Sequence, residues 1–442
     1  MRDPQISQIG ADFFCAFICG NLRNLRMSIP RNEVGTGGHG SVTLRAMIRL
    51  IAFLLFIVGC SAHAGVALGI DVLESQGFAP FAGKRIGLVT NQTGVDSSGT
   101  KTRVILRKAK NVKLVALYSP EHGIDGTVEA SKYIPSRTDS LTGLPVFSLY
   151  GPTRKPTRDM LAGIDVLVYD MQDIGVRSYT YISTMAKCME ACGEQRIPFV
   201  VLDRPNPLGG LRIEGPGVEE KWKSFVGQLP VPYLHGMTTG ELAKMANAYG
   251  WTGTRCQLGV VQMQGWSRDM TWNRTGLRWV QTSPNIPRAN SVPYYAATSI
   301  FGSLEGGGLD VGIGTDEPFQ LAGKNGMDPS AFVRELRATG LHGVSLEPYV
   351  RKEFGGARLS LNADSEVNLA AVNIQLLCAA QRQNRGSIFA RYNDPDGIFW
   401  KIYGSAGIRS QIEKGVSAAA IAASWEPGVA RFRSARQPYL LY

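Results

Sequence analysis

Several things are scarce in this sequence, and each scarcity closes a door. No apolar run reaches the roughly 18–20 residues that a helix needs to cross a bilayer; the run Ile51–Gly59 has nine. Seven cysteines in 442 residues are no disulfide framework. With no C-x-x-C pair they are no structural zinc site either. Cys188, Cys192, Cys256 and Cys378 read as buried free thiols. Charged residues make up 19% of the chain, too few for a disordered or coiled-coil protein. Basic residues outnumber acidic ones, 47 to 36, but the net charge of +11 is spread out. Without Lys/Arg runs there is no nucleic-acid arm, and the diffuse balance leans toward an anionic substrate or an envelope surface. No G-x-G-x-x-G follows the first predicted strand, and no G-x-x-x-x-G-K-[ST] or H-E-x-x-H occurs. Dinucleotide, nucleoside-triphosphate and zinc-protease sites are therefore disfavoured. No internal repeat is visible at a period of about 20–50 residues.

What is present is apolar material, 44% of the chain, enough for two ordinary domains. Arg45 and Arg49 precede the run Ile51–Gly59, which suits the core of a secretory signal starting at Met47. Residues 1–64 are thus read as an upstream extension plus signal peptide. Two exits are open: Ala62-His63-Ala64 before Gly65 fits signal-peptidase cleavage, whereas Ile57-Val-Gly-Cys60 fits a lipobox with lipid on Cys60. A predicted strand soon after favours a soluble exported protein, periplasmic or extracellular, over an outer-membrane lipoprotein. No membrane span is expected, and the sequence carries no signal for oligomeric state.

From residue 85 onward short apolar runs recur: Arg85–Thr90, Val112–Tyr118, Val146–Tyr150, Ile164–Tyr169, Pro198–Leu202 and Leu258–Gln262. Near-continuous aliphatic runs suit strands covered on both faces, as in a parallel sheet. Helical patterns lie between them. Thr238 with Glu241 makes a capping box before Leu242, Met245, Ala246 and Tyr249, and Gly250 follows as a stop. Ile182, Met185, Met189 and Cys192 form another helix face, with Gly193 as the expected stop. This alternation predicts an open α/β domain over 65–288. After Ser283–Pro287 the texture changes, and a smaller α+β domain is expected over 289–442. It opens with a helix near Tyr294–Ser303 and the glycine-rich stretch Leu304–Asp316, and carries a second helix capped by Asp364-Ser365.

In such a sheet functional residues collect where strands end. These loops hold Asn91, Glu121, His122, Asp170, Asp173, Arg177, Asp203, Arg204, Asn206 and His235. Together with Ser-Pro-Glu-His-Gly at 119–123 stand Thr142–Gly151, Arg154-Lys-Pro-Thr157, Tyr179–Met185, Asp203-Arg-Pro-Asn-Pro207, His235-Gly-Met-Thr238, Ser283–Pro287 and Tyr439–Tyr442. In this order, from about Gly69 to Tyr442, the set resembles the exo-β-N-acetylmuramidase family, long catalogued as a domain of unknown function. The resemblance implies an exported glycosidase that removes N-acetylmuramic acid from non-reducing ends of peptidoglycan fragments. It also implies a Rossmann-like domain followed by a smaller one, no cofactor, and family glutamates at Glu121 and Glu305. The chain departs from the pattern at Glu305-Gly306-Gly307-Gly308 and at Gly312-Ile313-Gly314-Thr315, where members read Glu-Gly-Thr-Asn and Gly-Arg-Gly-Thr. Polar groups are lost there, which bears on substrate preference and activity.

The chemistry can be argued from residue types. Glycosidic cleavage needs a carboxylic acid to protonate the departing oxygen and a second group to meet positive charge at the anomeric carbon. Glu121, framed by Pro120 and Gly123, is the candidate acid, and His122 either orients it or packs. Glu305 is the first choice for the second carboxylate, with Asp170 and Asp173 as contenders; Asp170 would otherwise cap a helix. The substrate's own acetamide is a further option for the nucleophile. A lactyl carboxylate calls for a guanidinium, from Arg177, Arg204 or Arg288, unless these are ordinary ion-pair partners. Tyr179, Tyr181, Trp266 and Trp279 are stacking candidates, and Asn206 and Asn285 either bind substrate or form turns. The expectation is that Glu121 and Glu305 face each other across an interdomain cleft. Two other classes stay open: a metal-dependent hydrolase using His122, Asp170, Asp173, Asp203 and His235, and a non-catalytic saccharide-binding protein that has kept the cleft.

Overall fold

The computed structural model describes residues 65–361, 364, 366–390, 392 and 397–442. The export segment and Cys60 lie outside the described residues. Seven strands form the first sheet: β1 (Arg85–Thr90), β2 (Lys113–Ser119), β3 (Arg137–Thr138), β4 (Pro145–Ser148), β5 (Val166–Asp170), β6 (Phe199–Leu202) and β7 (Leu258–Val261). Their order is β3-β4-β2-β1-β5-β6-β7. Every pair is parallel except β3 with β4. The parallel geometry follows from the apolar runs: every residue of β5 is buried, as are all but the first of β1. Alternate side chains serve opposite faces. Leu88, Leu117 and Val168 point into one core layer, and Val89, Tyr118 and Leu167 into the other. At ~25 cal/mol per Å² of apolar surface, this two-sided burial is the main force holding the strands in register.

The helices are α1 (Gly69–Ser75), α2 (Thr102–Lys108), α3 (Tyr181–Gln195), α4 (Thr239–Tyr249), α5 (Ser291–Gly302), α6 (Pro329–Ala338), α7 (Leu369–Gln383) and α8 (Ile398–Tyr403). Then come α9 (Gly407–Glu413), α10 (Ala418–Ala423) and α11 (Glu426–Ala435). The capping box of α4 forms as expected: Glu241 N donates to Thr238 Oγ1 at 3.2 Å, Thr238 N donates to Glu241 Oε2 at 3.0 Å, and Gly250 closes the helix at φ 69°. Two expectations fail for physical reasons. Gly193 does not stop α3, which runs on to Gln195 and ends at left-handed Arg196. Gly193 is instead a point of close approach, because a Cβ there would sit 2.9 Å from the Arg255 carbonyl oxygen. Asp364 does not cap α7; it accepts the Thr271 hydroxyl at 2.7 Å, and Asn368 caps α7 by accepting Ala371 N at 2.9 Å.

The smaller second domain carries an antiparallel sheet of β8 (Leu321–Asn325), β9 (Val344–Arg351) and β10 (Phe354–Leu361), in the order β8-β10-β9. One core layer is continuous from Tyr118 and Tyr169 in the first domain to Leu377 and Phe399 in the second. The end of the chain returns to the first sheet, where the Tyr442 hydroxyl donates to Asp203 Oδ2 at 2.8 Å and Leu441 N donates to Glu241 Oε1 at 2.9 Å. The terminal Tyr439–Tyr442 stretch is thus a clamp on the strand-end loops.

Candidate active site

Beyond β2 the chain turns sharply through two left-handed residues, His122 and Gly123. The turn lifts Glu121 over the strand end and leaves it 8% exposed. Its two oxygens have different partners. Oε1 accepts the backbone N–H of Ser131 at 2.9 Å, and Oε2 accepts the Thr180 hydroxyl at 2.7 Å. His122 Nδ1 lies 2.7 Å from the Val128 carbonyl oxygen, so the imidazole folds the 124–131 loop back and thereby brings Ser131 to the carboxylate. His122 therefore acts on Glu121 through the loop, not by touching it. The Tyr150 hydroxyl, at the end of β4, faces the same carboxylate; burial first, and then Glu121, raise the phenol's pKa.

The partners decide what Glu121 can do. A backbone N–H only donates, so Oε1 is always an acceptor. A hydroxyl donates to a carboxylate and, once rotated, accepts from a carboxylic acid. A proton that comes and goes therefore sits on Oε2, with no partner lost in either state. One wall of the site is aromatic. Tyr179 packs on Tyr181 and on Tyr295 with ring centroids 4.8 and 5.8 Å apart, and Tyr295 packs on Phe319 at 4.9 Å. Tyr181 is fully buried, so it supports this wall without lining it.

The strand order reverses between β1 and β5, the position where open α/β sheets commonly bind ligands. Here that crevice is largely filled. Arg204 reaches Asp170 Oδ1 through Nε at 2.6 Å and Oδ2 through Nη2 at 3.0 Å, and Thr102 Oγ1 adds a bond to Oδ2 at 2.5 Å. Both side chains are almost wholly buried, and about 30 Å³ of space remains beside them. The expectation of Asp170 as a reacting carboxylate and of Arg204 as a substrate clamp is corrected: they neutralise each other. Asn91 Oδ1 accepts the N–H and hydroxyl of Thr93, so it shapes the loop after β1. Asp173 Oδ2 accepts Gly175 N at 2.7 Å, while buried Oδ1 has no partner among the described residues. Burial pushes this carboxyl up to about 7.

The other predicted residues are mostly structural. Arg177 is fully buried and donates to the carbonyls of Pro216 (2.6 Å), Val231 (2.9 Å), Ile402 (2.8 Å) and Tyr403 (3.0 Å). It pins α8 to the first domain through both terminal nitrogens, and its one remaining hydrogen, on Nε, is buried and without a partner among the described residues, so it presents no two-hydrogen edge to a substrate carboxylate, which corrects the expectation. Asp203 holds Thr238 Oγ1, Gly240 N and the Tyr442 hydroxyl, and burial pushes it up to about 6 against those bonds. His235 Nδ1 accepts Met237 N at 3.2 Å. Burial, and then Arg436 and Arg177, push this imidazole down to about 3, so it is neutral. Asn206 makes a turn, accepting Leu208 N and donating to the Met237 carbonyl. Asn285 is half-buried in the Ser283–Ile286 turn, and exposed Arg288 makes no ion pair among the described residues. Trp266 packs on Tyr442 and Trp279 on Trp272.

Glu305 is exposed and opens the short turn Glu305–Gly307. It lines a cleft of about 780 Å³ with Lys324, Asn384 and Arg385, a cleft that includes none of the Glu121 neighbours. The glycines after it answer to the backbone: a Cβ on Gly307 would meet the Ile388 carbonyl oxygen at 2.8 Å, and Gly308 is left-handed at φ 87°. Nor do the five proposed metal donors meet. His122, Asp170, Asp203 and His235 each have the separate partners given above, and the acidic trio with ligand spacing among the described residues is Asp71, Glu74 and Asp96, elsewhere. The sequence reading missed Thr180, Ser131, Tyr150 and Arg154. The first follows Tyr179 in a stretch already singled out, and the last two stand in quoted motifs, but nothing in their spacing says that they converge on Glu121.

Comparison with known proteins gives a consistent picture. Two family models match in succession, exo-β-N-acetylmuramidase NamZ, N-terminal, over residues 86–290 and its C-terminal counterpart over 294–442. The peptidoglycan β-N-acetylmuramidase NamZ of Bacillus subtilis (strain 168) is 39% identical over 391 residues, covering 85% of this chain and 91% of that protein. Two crystal structures of DUF1343 family proteins from Bacteroides fragilis NCTC 9343 are also similar. One is 40% identical with a TM-score of 0.76, covering 85% of this chain and 99% of the other. The second is 30% identical with a TM-score of 0.67, covering 86% and 99%.

Proposed function

The chain belongs to the exo-β-N-acetylmuramidase family of glycosidases, and on that footing we propose that it removes N-acetylmuramic acid from the non-reducing ends of peptidoglycan fragments, with Glu121 as the carboxyl that moves the proton. The observation that carries this reading is the pair of unlike partners on Glu121, the Ser131 N–H and the reversible Thr180 hydroxyl. They hold the carboxyl in one orientation in both of its protonation states. As general acid it gives its Oε2 proton to the departing glycosidic oxygen, and as base it takes one back from water. Positive charge developing at the anomeric carbon is met by the substrate's own acetamide or by a second carboxyl. Asp170 is excluded from that role by its ion pair with Arg204. The segment read as an export signal would deliver the enzyme to the polymer it trims. Incubating the purified protein with the muramyl–glucosamine disaccharide, and following products by mass, is expected to show free N-acetylmuramic acid. Disaccharide that is bound but left intact would replace hydrolysis with saccharide binding.

A further inference from the structure

The three arginines expected to hold a substrate carboxylate are placed for other work: Arg177 is buried with both terminal nitrogens on backbone carbonyls, Arg204 is buried and paired with Asp170, and exposed Arg288 makes no hydrogen bond to a Glu121 neighbour among the described residues. A fourth is placed differently. The Arg154 guanidinium carbon lies 4.4 Å from the Tyr150 ring centroid and 4.2 Å from that of Phe225. The two rings are themselves 6.0 Å apart and tilted by 54°, so the cation is wedged between them. Cation–π contact with two rings holds the guanidinium in place without consuming its N–H groups. Arg154 is exposed, and those donors meet no acceptor and no carboxylate among the described residues. Tyr150 links this cation to the reacting carboxyl, with its ring against Arg154 and its hydroxyl toward Glu121. A guanidinium held in place but unpaired among the described residues thus stands one phenol ring away from Glu121.

We propose that Arg154 is the specificity determinant of the site, binding the lactyl carboxylate of a muramyl sugar and thereby distinguishing it from an N-acetylhexosamine that lacks the lactyl group. The proposal rests on the function given above. The lactyl ether hangs from a ring carbon set apart from the anomeric one, so its carboxylate and the glycosidic oxygen must be met by two different protein groups. Arg154 and Glu121, separated by Tyr150, supply a cation for one and a proton for the other. A planar guanidinium with free N–H groups can offer two parallel donors to a carboxylate, a geometry that a lysine ammonium does not match.

The test compares the parent with Arg154→Met on two 4-nitrophenyl glycosides, that of N-acetylmuramic acid and that of its lactyl amide. Equilibrium binding of the two free sugars is followed by calorimetry. The parent is expected to prefer acid over amide by about 10- to 100-fold in kcat/KM and in affinity. That preference should shrink with added salt, since the cation is exposed, and should collapse toward unity in Arg154→Met. Unfolding of Arg154→Met followed by circular dichroism separates this from misfolding. A variant that keeps the parent's preference overturns the proposal, as does a parent with no preference. If the parent cleaves neither glycoside yet binds the acid through Arg154, hydrolysis fails and the carboxylate site stands.

Discussion

Replacing Asp173 by Asn tests the account of the buried strand-end polar groups most sharply, because the effect should change sign with pH. Asp173 accepts one N–H at 2.7 Å on Oδ2, has no partner on Oδ1 among the described residues and is pushed up by burial to about 7 against an ordinary 3.8. Its folded-state pKa therefore lies above the unfolded one. The contribution to stability is complete below about pH 4, fades as pH rises, and is gone once pH passes about 7. A shift of this size corresponds to roughly 4 kcal/mol as an upper bound, at about 1.4 kcal/mol per pH unit. Asn cannot ionise, and its carbonyl oxygen can take over the Gly175 N–H. Its amide nitrogen, lying where Oδ1 lies, is a buried donor without an acceptor and costs about 1–2 kcal/mol at every pH. Asp173→Asn should thus be less stable than the parent by about 1 kcal/mol at pH 4 and more stable by about 2 kcal/mol at pH 8. Asp203, pushed up to about 6, slopes in the same direction in both proteins and cancels in the difference. Urea unfolding of the two proteins at intervals from pH 4 to 8.5 measures it. A stability difference that stays flat over that range would refute the assignment of an unpaired, desolvated carboxyl at this position.

Two further outcomes follow from the same geometry. Glu121→Gln should lower turnover of a muramyl glycoside by about 10²–10⁴-fold. It should leave stability within about 1 kcal/mol, because the amide oxygen can accept Ser131 N–H while the amide nitrogen donates to Thr180; turnover within threefold of the parent would remove Glu121 from the chemistry. Arg177→Met should destabilise the protein by about 3–5 kcal/mol, since four buried carbonyls lose their donors at once; an unchanged urea midpoint would mean that α8 is held by other contacts.

The parallel sheet was legible because its strands are apolar on both faces, and a run such as Val166–Tyr169 has few other places to go. The α4 cap was legible because its two partners lie three residues apart. The misreadings share a cause: each depended on a partner remote in the chain. Gly193 resembles a stop until Arg255 is seen packed against it. Asp364 resembles a cap until Thr271 claims it. The antiparallel strands of the second sheet escaped notice because β9 is largely exposed and β10 begins Phe-Gly-Gly, so neither has the two-sided apolar pattern. In the site, ten residues could be assigned to strand-end loops from the sequence, but their types do not say which of them neutralise one another. Asp170 and Arg204 are 34 residues apart, and nothing local marks them as a pair.

The kind of partner, more than the depth of burial, separates the carboxyl proposed to move the proton from the structural ones. Asp170, Asp203 and Glu121 all end parallel strands and are all buried. Asp170 faces a guanidinium, which never gives up its charge, so protonating Asp170 would strand a buried cation at a cost of several kcal/mol. Asp203 faces two hydroxyls and the N–H groups of Arg204 and Gly240, and three of these four belong to the α4 cap and the terminal clamp, so a change of protonation there would disturb the packing of both. Glu121 faces one backbone N–H, one hydroxyl and a phenol, with no ion pair among the described residues. It is the member of the three whose partners tolerate both charge states without moving a helix. That tolerance is what proton transfer requires, and it is the reason for proposing a reaction centre one strand away from the reversal point, where a buried ion pair fills the crevice.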